Sequence, residues 1–170
     1  MGLRTVRAWI AASAMGTGAL LMPAASQVQD SLAELREQFE RETDPVRKAK
    51  AMTKLGDAQW QAARQASAAE DFEAARKLVR QYLDDTEVAA KALETSGINA
   101  EKMPRGFKDL QIHVRKSLRE LEQMILTTPA ELRGSLEVYR RDLLAIEKQL
   151  INKLFPRQPG KSAEKKASED

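Results

Sequence analysis

Cysteine is absent from the 170 residues, and histidine occurs once, at position 113. Without Cys the chain can form no disulfide, no lipoprotein anchor and no Cys-x-x-Cys-His haem attachment, so packing alone must hold the fold. One His leaves no His-x-x-x-His or Glu-x-x-His pattern, and a zinc site needs about three ligands. No alternating run of β-branched residues marks a strand. Charge of one sign is also missing once the N-terminus is set aside, as follows.

Residues 1–26, MGLRTVRAWIAASAMGTGALLMPAAS, join a basic start (Arg4, Arg7) to an apolar run from Ala8 to Met22 and then to small residues around Pro23. That is the three-part pattern of a secretory signal peptide, with cleavage expected after Ser26. The run is shorter than the roughly 20 apolar residues of a membrane helix, and Gly16, Thr17 and Gly18 dilute it. No transmembrane segment is expected after cleavage, and the expected location is periplasmic or secreted. Of the 28 Lys and Arg, removal of Arg4 and Arg7 leaves 26 against 25 acidic residues. A near-neutral chain has no field to gather a polyanion, so nucleic acid is not an expected partner. The remaining stretch of about 144 residues is enough for a single core.

Helical periodicity runs through almost every window from Asp30 onward, which makes the expected class all-α. Val28, Leu32, Leu35 and Phe39 form a short first stripe, with Ser31 and Glu34 at capping-box spacing. Asp44-Pro45 reads as a cap followed by the first position of a second helix, Ala-rich and containing Gly56, that runs to about Ser67. Its small residues (Gly56, Ala58, Ala62, Ala63, Ala66) allow a close neighbour, and Leu55 and Trp60 supply bulk. A new stripe, Phe72, Ala75, Val79, Tyr82, Ala89 and Leu93, is out of phase with the previous one and implies a turn at residues 68–71, although no Gly or Pro sits there. Gly97 suits a left-handed Schellman ending with Ile98 against Leu93. A fourth helix is expected from about Pro104. Thr128 is then the expected cap of a last helix, with Glu131 its capping partner and Leu132, Leu136, Tyr139, Leu143, Ile146 and Leu150 its stripe. Pro156 ends it, and residues 156–170 are polar enough for a disordered tail. The expected architecture is one domain over residues 27–155: an up-and-down bundle of about four long helices plus a short N-terminal one.

Three sets of residues are candidates for function. Phe107, Leu110, Val114, Leu118, Leu121 and Ile125 form an apolar arc, and His113 falls on its shoulder with Asp109 one turn earlier. That pairing reads either as an acid–base dyad or as a boundary histidine held by an i,i+4 contact, and the second reading is preferred because catalysis also needs a positioned nucleophile. Glu34/Glu37, Asp84/Asp85 and Glu120/Glu122 read as solvated helix faces, although Asp84-Asp85 interrupts an apolar stretch. Arg105, Lys108, Arg115, Lys116 and Arg119 share an arc of about 100° opposite the apolar one, centred on Ile112. A basic stripe around an outward apolar residue suits an anionic partner, either an envelope component or an acidic protein. The same stripe also reads as an ordinary solvated face, with screening weakening its charge.

The segment from Leu55-Gly56 to Asp71-Phe72-Glu73-Ala74-Ala75 resembles a tetratricopeptide helical hairpin, a likeness confined to residues 55–75. With TDPVRKAKAMTKLGDAQW, GFKDLQIHVRKSLRELE and LFPRQP, the chain also resembles small exported all-helical bacterial proteins of unassigned function. That resemblance implies export and a helical fold and carries no activity. Periplasmic stress chaperones bear a Leu-Thr-x-x-Gln motif, and Leu126-Thr127-Thr128-Pro129-Ala130 lacks its Gln. The expected function is therefore a non-enzymatic exported binding or scaffold protein without a cofactor. A chaperone-like holdase is the alternative, an enzyme or cofactor carrier ranks below both, and homo-oligomers remain open.

Overall fold

The structure, a computed structural model, describes residues 24–156, with side chains from residue 31 onward. Residues 1–23 of the expected signal peptide (1–26), the side chain of Val28 and residues 157–170 of the expected tail lie outside the described residues. Helix α1 spans Ala24–Arg41, α2 Pro45–Ala68, α3 Phe72–Thr95, α4 Arg105–Thr127 and α5 Arg133–Leu154, with a single 3-10 turn at Ala130–Leu132. No strand occurs among the described residues, and no helix there is long and apolar enough to cross a membrane. The all-α bundle is thus the observed class.

Local chemistry sets most of the boundaries. Asp44 caps α2 by accepting from Arg47 N at 2.8 Å, and Pro45 occupies the first helical position. The turn at residues 68–71 forms without glycine. Glu70 adopts a left-handed φ of 60°, Glu70 N donates to Ser67 O at 3.0 Å, and Asp71 N donates to Ala66 O at 2.9 Å. Those two bonds are the Schellman pair. Asp71 then caps α3 at once, accepting from Ala74 N at 3.0 Å.

Three expected caps differ. Helix α1 already runs from Ala24, so Ser31 lies inside it and is not its N-terminal cap. Gly97 takes the left-handed φ of 71°, but Ile98 N donates to Ser96 Oγ at 3.2 Å while that hydroxyl donates to Leu93 O at 2.7 Å. A side chain thus replaces the expected backbone bond. Thr128 closes α4 instead of opening α5, because its hydroxyl donates to Met124 O at 2.8 Å, and Glu131 lies in the 3-10 turn.

Chain direction alternates from helix to helix, yet the order around the bundle is α2, α3, α5, α4. The pairs α2–α3 and α4–α5 are antiparallel hairpins, whereas α2 runs parallel to α4 and α3 to α5. Ion pairs report those parallel registers: Asp57 with Lys116 and Arg64 with Glu120 across α2–α4, and Glu94 with Lys153 across α3–α5. The segment between α3 and α4 therefore crosses the end of the bundle diagonally. Gly106 makes that crossing possible, since a Cβ there would stand 3.0 Å from Leu93 Cδ2 and 3.2 Å from the Val46 Cα.

The core gathers Met52 and Leu55 of α2, Val79, Leu83 and Leu93 of α3, Leu110, Val114 and Leu121 of α4, and Leu143 of α5, all at most 1% exposed. Each such side chain contributes about 1.5–3 kcal/mol of burial. Helix α1 packs on α2, with Phe39 buried under Lys48 and with Leu32 and Leu35 partly covered. It is also fastened to α3. Arg36 Nη2 donates to Asp85 Oδ2 at 2.8 Å, and Gln59 Nε2 donates to the same oxygen at 2.7 Å. Asp85, expected on a solvated face, is turned inward and only 8% exposed, because Arg36 and Gln59 satisfy its charge there.

Candidate functional site

Helix α4 lies between α2 and α5, so its outward face is open along its length. Arg105, Lys108, Ile112, Arg115, Lys116 and Arg119 are all exposed on it, as their common arc requires. Ile112 keeps 54% of its surface in solvent. The five cations divide into two kinds. Arg115 Nε donates to Glu147 Oε1 of α5 at 2.9 Å, where Gln111 Nε2 also donates at 3.1 Å, and Lys116 Nζ donates to Asp57 Oδ1 of α2 at 2.9 Å. These two fasten α4 to its neighbours on either side. Arg105, Lys108 and Arg119 make no ion pair among the described residues.

Acidic dilution of this stripe is smaller than the sequence suggests. Glu120 is held by Arg64 of α2 at 2.9 Å and Glu122 by Arg140 of α5 at 3.3 Å, one on each shoulder of the arc. Asp109 is the remaining carboxylate beside it. One member escaped the sequence reading: Leu126, 67% exposed, lies about 40° around the helix from Ile112 and extends the stripe toward the end of α4. Continuing the same helical arc four turns onward would have found it.

His113 is not a boundary residue. It is 6% exposed, its ring lies against Tyr82 with centroids 5.7 Å apart, and Tyr82 in turn lies against Trp60 at 5.4 Å. One ring thus comes from each of α2, α3 and α4. No hydrogen bond or ion pair joins His113 to Asp109, so neither the dyad nor the i,i+4 contact forms; the carboxylate that acts on it is Asp57. Burial holds the His113 pKa below its ordinary range, with Lys116 adding to the effect and Asp57 opposing it. The reason for the depth is Gly56. A Cβ at that position would come within 2.4 Å of His113 Nε2 and 2.8 Å of Tyr82 Cε2, so only glycine admits both rings against the α2 backbone.

Around these rings polar atoms collect. Trp60 Nε1 and Ser117 Oγ are buried beside the Tyr82 hydroxyl, and His113 Nε2 and Gln59 Oε1 are buried without a close protein partner. Burial pushes the Tyr82 phenol up to about 12, against the opposing influence of Ser117, Thr86 and Trp60 beside it. A buried polar atom left unpaired costs about 1–3 kcal/mol.

Above this layer the surface is creased. A cleft of about 200 Å³ between α2 and α4 is lined by Asp57, Trp60, Gln61, Arg64, Lys116, Ser117 and Glu120. A shallower one on the other side of the Asp57–Lys116 pair reaches His113, Ile112 and Asp109. Sequence spacing gave no hint of this assembly, since its members come from three helices whose mutual rotation depends on Gly56. Among the described residues no three of His, Cys, Asp and Glu converge as metal ligands would. Comparison with protein-family models, with curated proteins and with solved structures finds no match to this chain.

Proposed function

We propose that this chain is an exported, non-enzymatic binding protein that docks on an anionic membrane surface through the outer face of α4. The observation that carries the reading is the trio Arg105, Lys108 and Arg119, uncompensated by any ion pair among the described residues and set around the protruding Ile112, with Leu126 beyond. Export rests on the basic, apolar and small-residue pattern of residues 1–26. An extended, narrow stripe of cations with apolar tips matches a flat headgroup layer: charges meet phosphates while the tips enter the interface. Three free cations at about 1 kcal/mol each, with about 1 kcal/mol from the half-exposed Ile112, give roughly 4 kcal/mol, a reversible millimolar contact.

The holdase alternative draws less support. It needs an exposed apolar groove; the cleft between α3 and α5 is lined by Ala90, Ala145 and Ile146 but flanked by Glu87, Lys91, Glu94 and Asp142, and the one at the α2–α4 end has Met124 and Ala68 between Arg64 and Glu120.

Co-sedimentation with vesicles tests the docking reading. Binding is expected to vesicles rich in phosphatidylglycerol and not to pure phosphatidylcholine, to fall with added salt as screening shortens the reach of the field, and to disappear in Arg105→Gln/Lys108→Gln/Arg119→Gln. Binding that ignores the triple substitution would sink the stripe's role. A chain that passes over vesicles but captures polyglutamate would put an acidic protein in the membrane's place.

A further inference from the structure

We propose that His113 is a proton latch on the docking face: on taking a proton it captures Asp57, and Lys116, released from Asp57, joins Arg105, Lys108 and Arg119 against anionic headgroups. This regulation rests on the membrane-docking reading. Its basis is the placement of three side chains. His113, Asp57 and Lys116 line one shallow crease together with Thr53, Asp109 and Ile112. Lys116 Nζ donates to Asp57 Oδ1 at 2.9 Å, so the lysine beside Ile112 is engaged by the carboxylate that acts on the imidazole. The imidazole is 6% exposed, with Nε2 buried and unpartnered. A neutral ring tolerates that position, whereas an imidazolium there needs a counter-charge.

Each helix packed on the ring exerts a definite influence. From α2 comes Asp57, which favours the charged ring, and from α4 comes Lys116, which disfavours it. Asp109 of α4 shares the crease without a bond to the ring. From α3 comes the Tyr82 phenol, pushed up to about 12 by burial and so neutral throughout the range in which histidine titrates. Burial is the largest influence and delays protonation to below the ordinary histidine range. An exchange of partners offsets it, because the imidazolium gains Asp57 as Lys116 withdraws.

Lys116 is the cation free to move. Its side chain and that of Asp57 are 54% and 58% exposed, and an ion pair so open to water is weakly held. Arg115 stays where it is, since the Glu147 side chain is 14% exposed and also accepts from Gln111. The face thus gains one charge in acid, worth about five-fold in affinity for an anionic surface. By linkage, docking raises the proton affinity of His113 by the same factor.

Co-sedimentation of the full chain with phosphatidylglycerol vesicles between about pH 7.5 and pH 4.5, beside an NMR titration of the single imidazole, tests the latch. Affinity is expected to rise about five-fold more in the unsubstituted chain than in His113→Gln, with a midpoint that tracks the imidazole titration. Asp57→Asn is expected to bind at neutral pH as the unsubstituted chain binds in acid, with no further rise beyond that of His113→Gln. Without vesicles, Lys116→Gln is expected to raise the pKa of His113 and Asp57→Asn to lower it. Both of those residues are exposed, so their variants decide the matter even where His113→Gln disturbs folding. Binding that keeps its full rise in His113→Gln, or a His113 titration unmoved by Lys116→Gln, would overturn the latch and leave docking standing. No binding to these vesicles at any pH would remove docking and the latch together.

Discussion

Gly56→Ala sets two well-defined effects against each other. In a helix interior the substitution gains about 1 kcal/mol of intrinsic propensity. At this position the added methyl would lie 2.4 Å from His113 Nε2 and 2.8 Å from Tyr82 Cε2, closer than real contacts allow. Neither ring has room to withdraw, since His113 is 6% and Tyr82 1% exposed. Overpacking of this kind costs about 1–3 kcal/mol, and contact with two buried rings places it at the upper end. The net expectation is a loss of roughly 2 kcal/mol, or a fall in Tm of about 4–8 °C for a chain of this size. Gly134→Ala is the matched control. Nothing lies within 4 Å of a Cβ at Gly134, so it is expected to hold or raise stability by up to about 1 kcal/mol. Urea unfolding followed by far-UV circular dichroism measures both. Equal stabilisation by the two substitutions would refute the close three-ring packing and the depth assigned to His113.

Asp85→Asn removes the charge shared by Arg36 and Gln59 and is expected to cost about 2 kcal/mol in urea unfolding, below the value for a fully buried pair because Arg36 keeps 33% side-chain exposure. Glu70→Gly relieves a left-handed non-glycine residue at the α2–α3 turn and is expected to stabilise by about 1 kcal/mol, whereas Glu70→Val is expected to destabilise. His113, held neutral by burial, makes stability depend on pH: from its ordinary value of 6.5 downward the unfolded chain takes a proton that the folded chain refuses. Stability is therefore complete above that range and falls as pH drops through it, by at most about 1.4 kcal/mol per pH unit. His113→Gln is expected to flatten the slope between about pH 7 and pH 5.

Much of the architecture could be read from side-chain periodicity, because each long helix hides one arc. Leu110, Val114, Leu118 and Leu121 are buried as their spacing requires, and so are Leu136, Tyr139, Leu143, Ile146 and Leu150. Local capping was legible where one residue determines it, as at Asp44; at Gly97 the left-handed φ was legible, but not the closing bond through Ser96. What spacing could not supply was the rotation and order of the helices. Asp85 turns inward because Arg36 arrives from α1, and no signal within α3 records that arrival. His113 sits on the shoulder of its own helix, yet it is buried because α2 presents a glycine there and α3 a tyrosine. The glutamate-capped turn at Glu70 was visible only as a slip of phase, since the left-handed residue is not the usual glycine. For the candidate docking face, the arc gave the positions of its six residues, while the commitment of Arg115 to Glu147 and of Lys116 to Asp57 required the neighbouring helices.

The absence of cysteine makes the docking face directly observable, since any introduced thiol is unique. An environment-sensitive fluorophore on Ile112→Cys, compared with one on Val138→Cys or Leu144→Cys of α5, reports which surface leaves water when phosphatidylglycerol vesicles are added. Docking through α4 requires a blue shift at position 112, reversed by salt, with positions 138 and 144 unchanged. Equal shifts at all three positions, or a shift confined to α5, would contradict it.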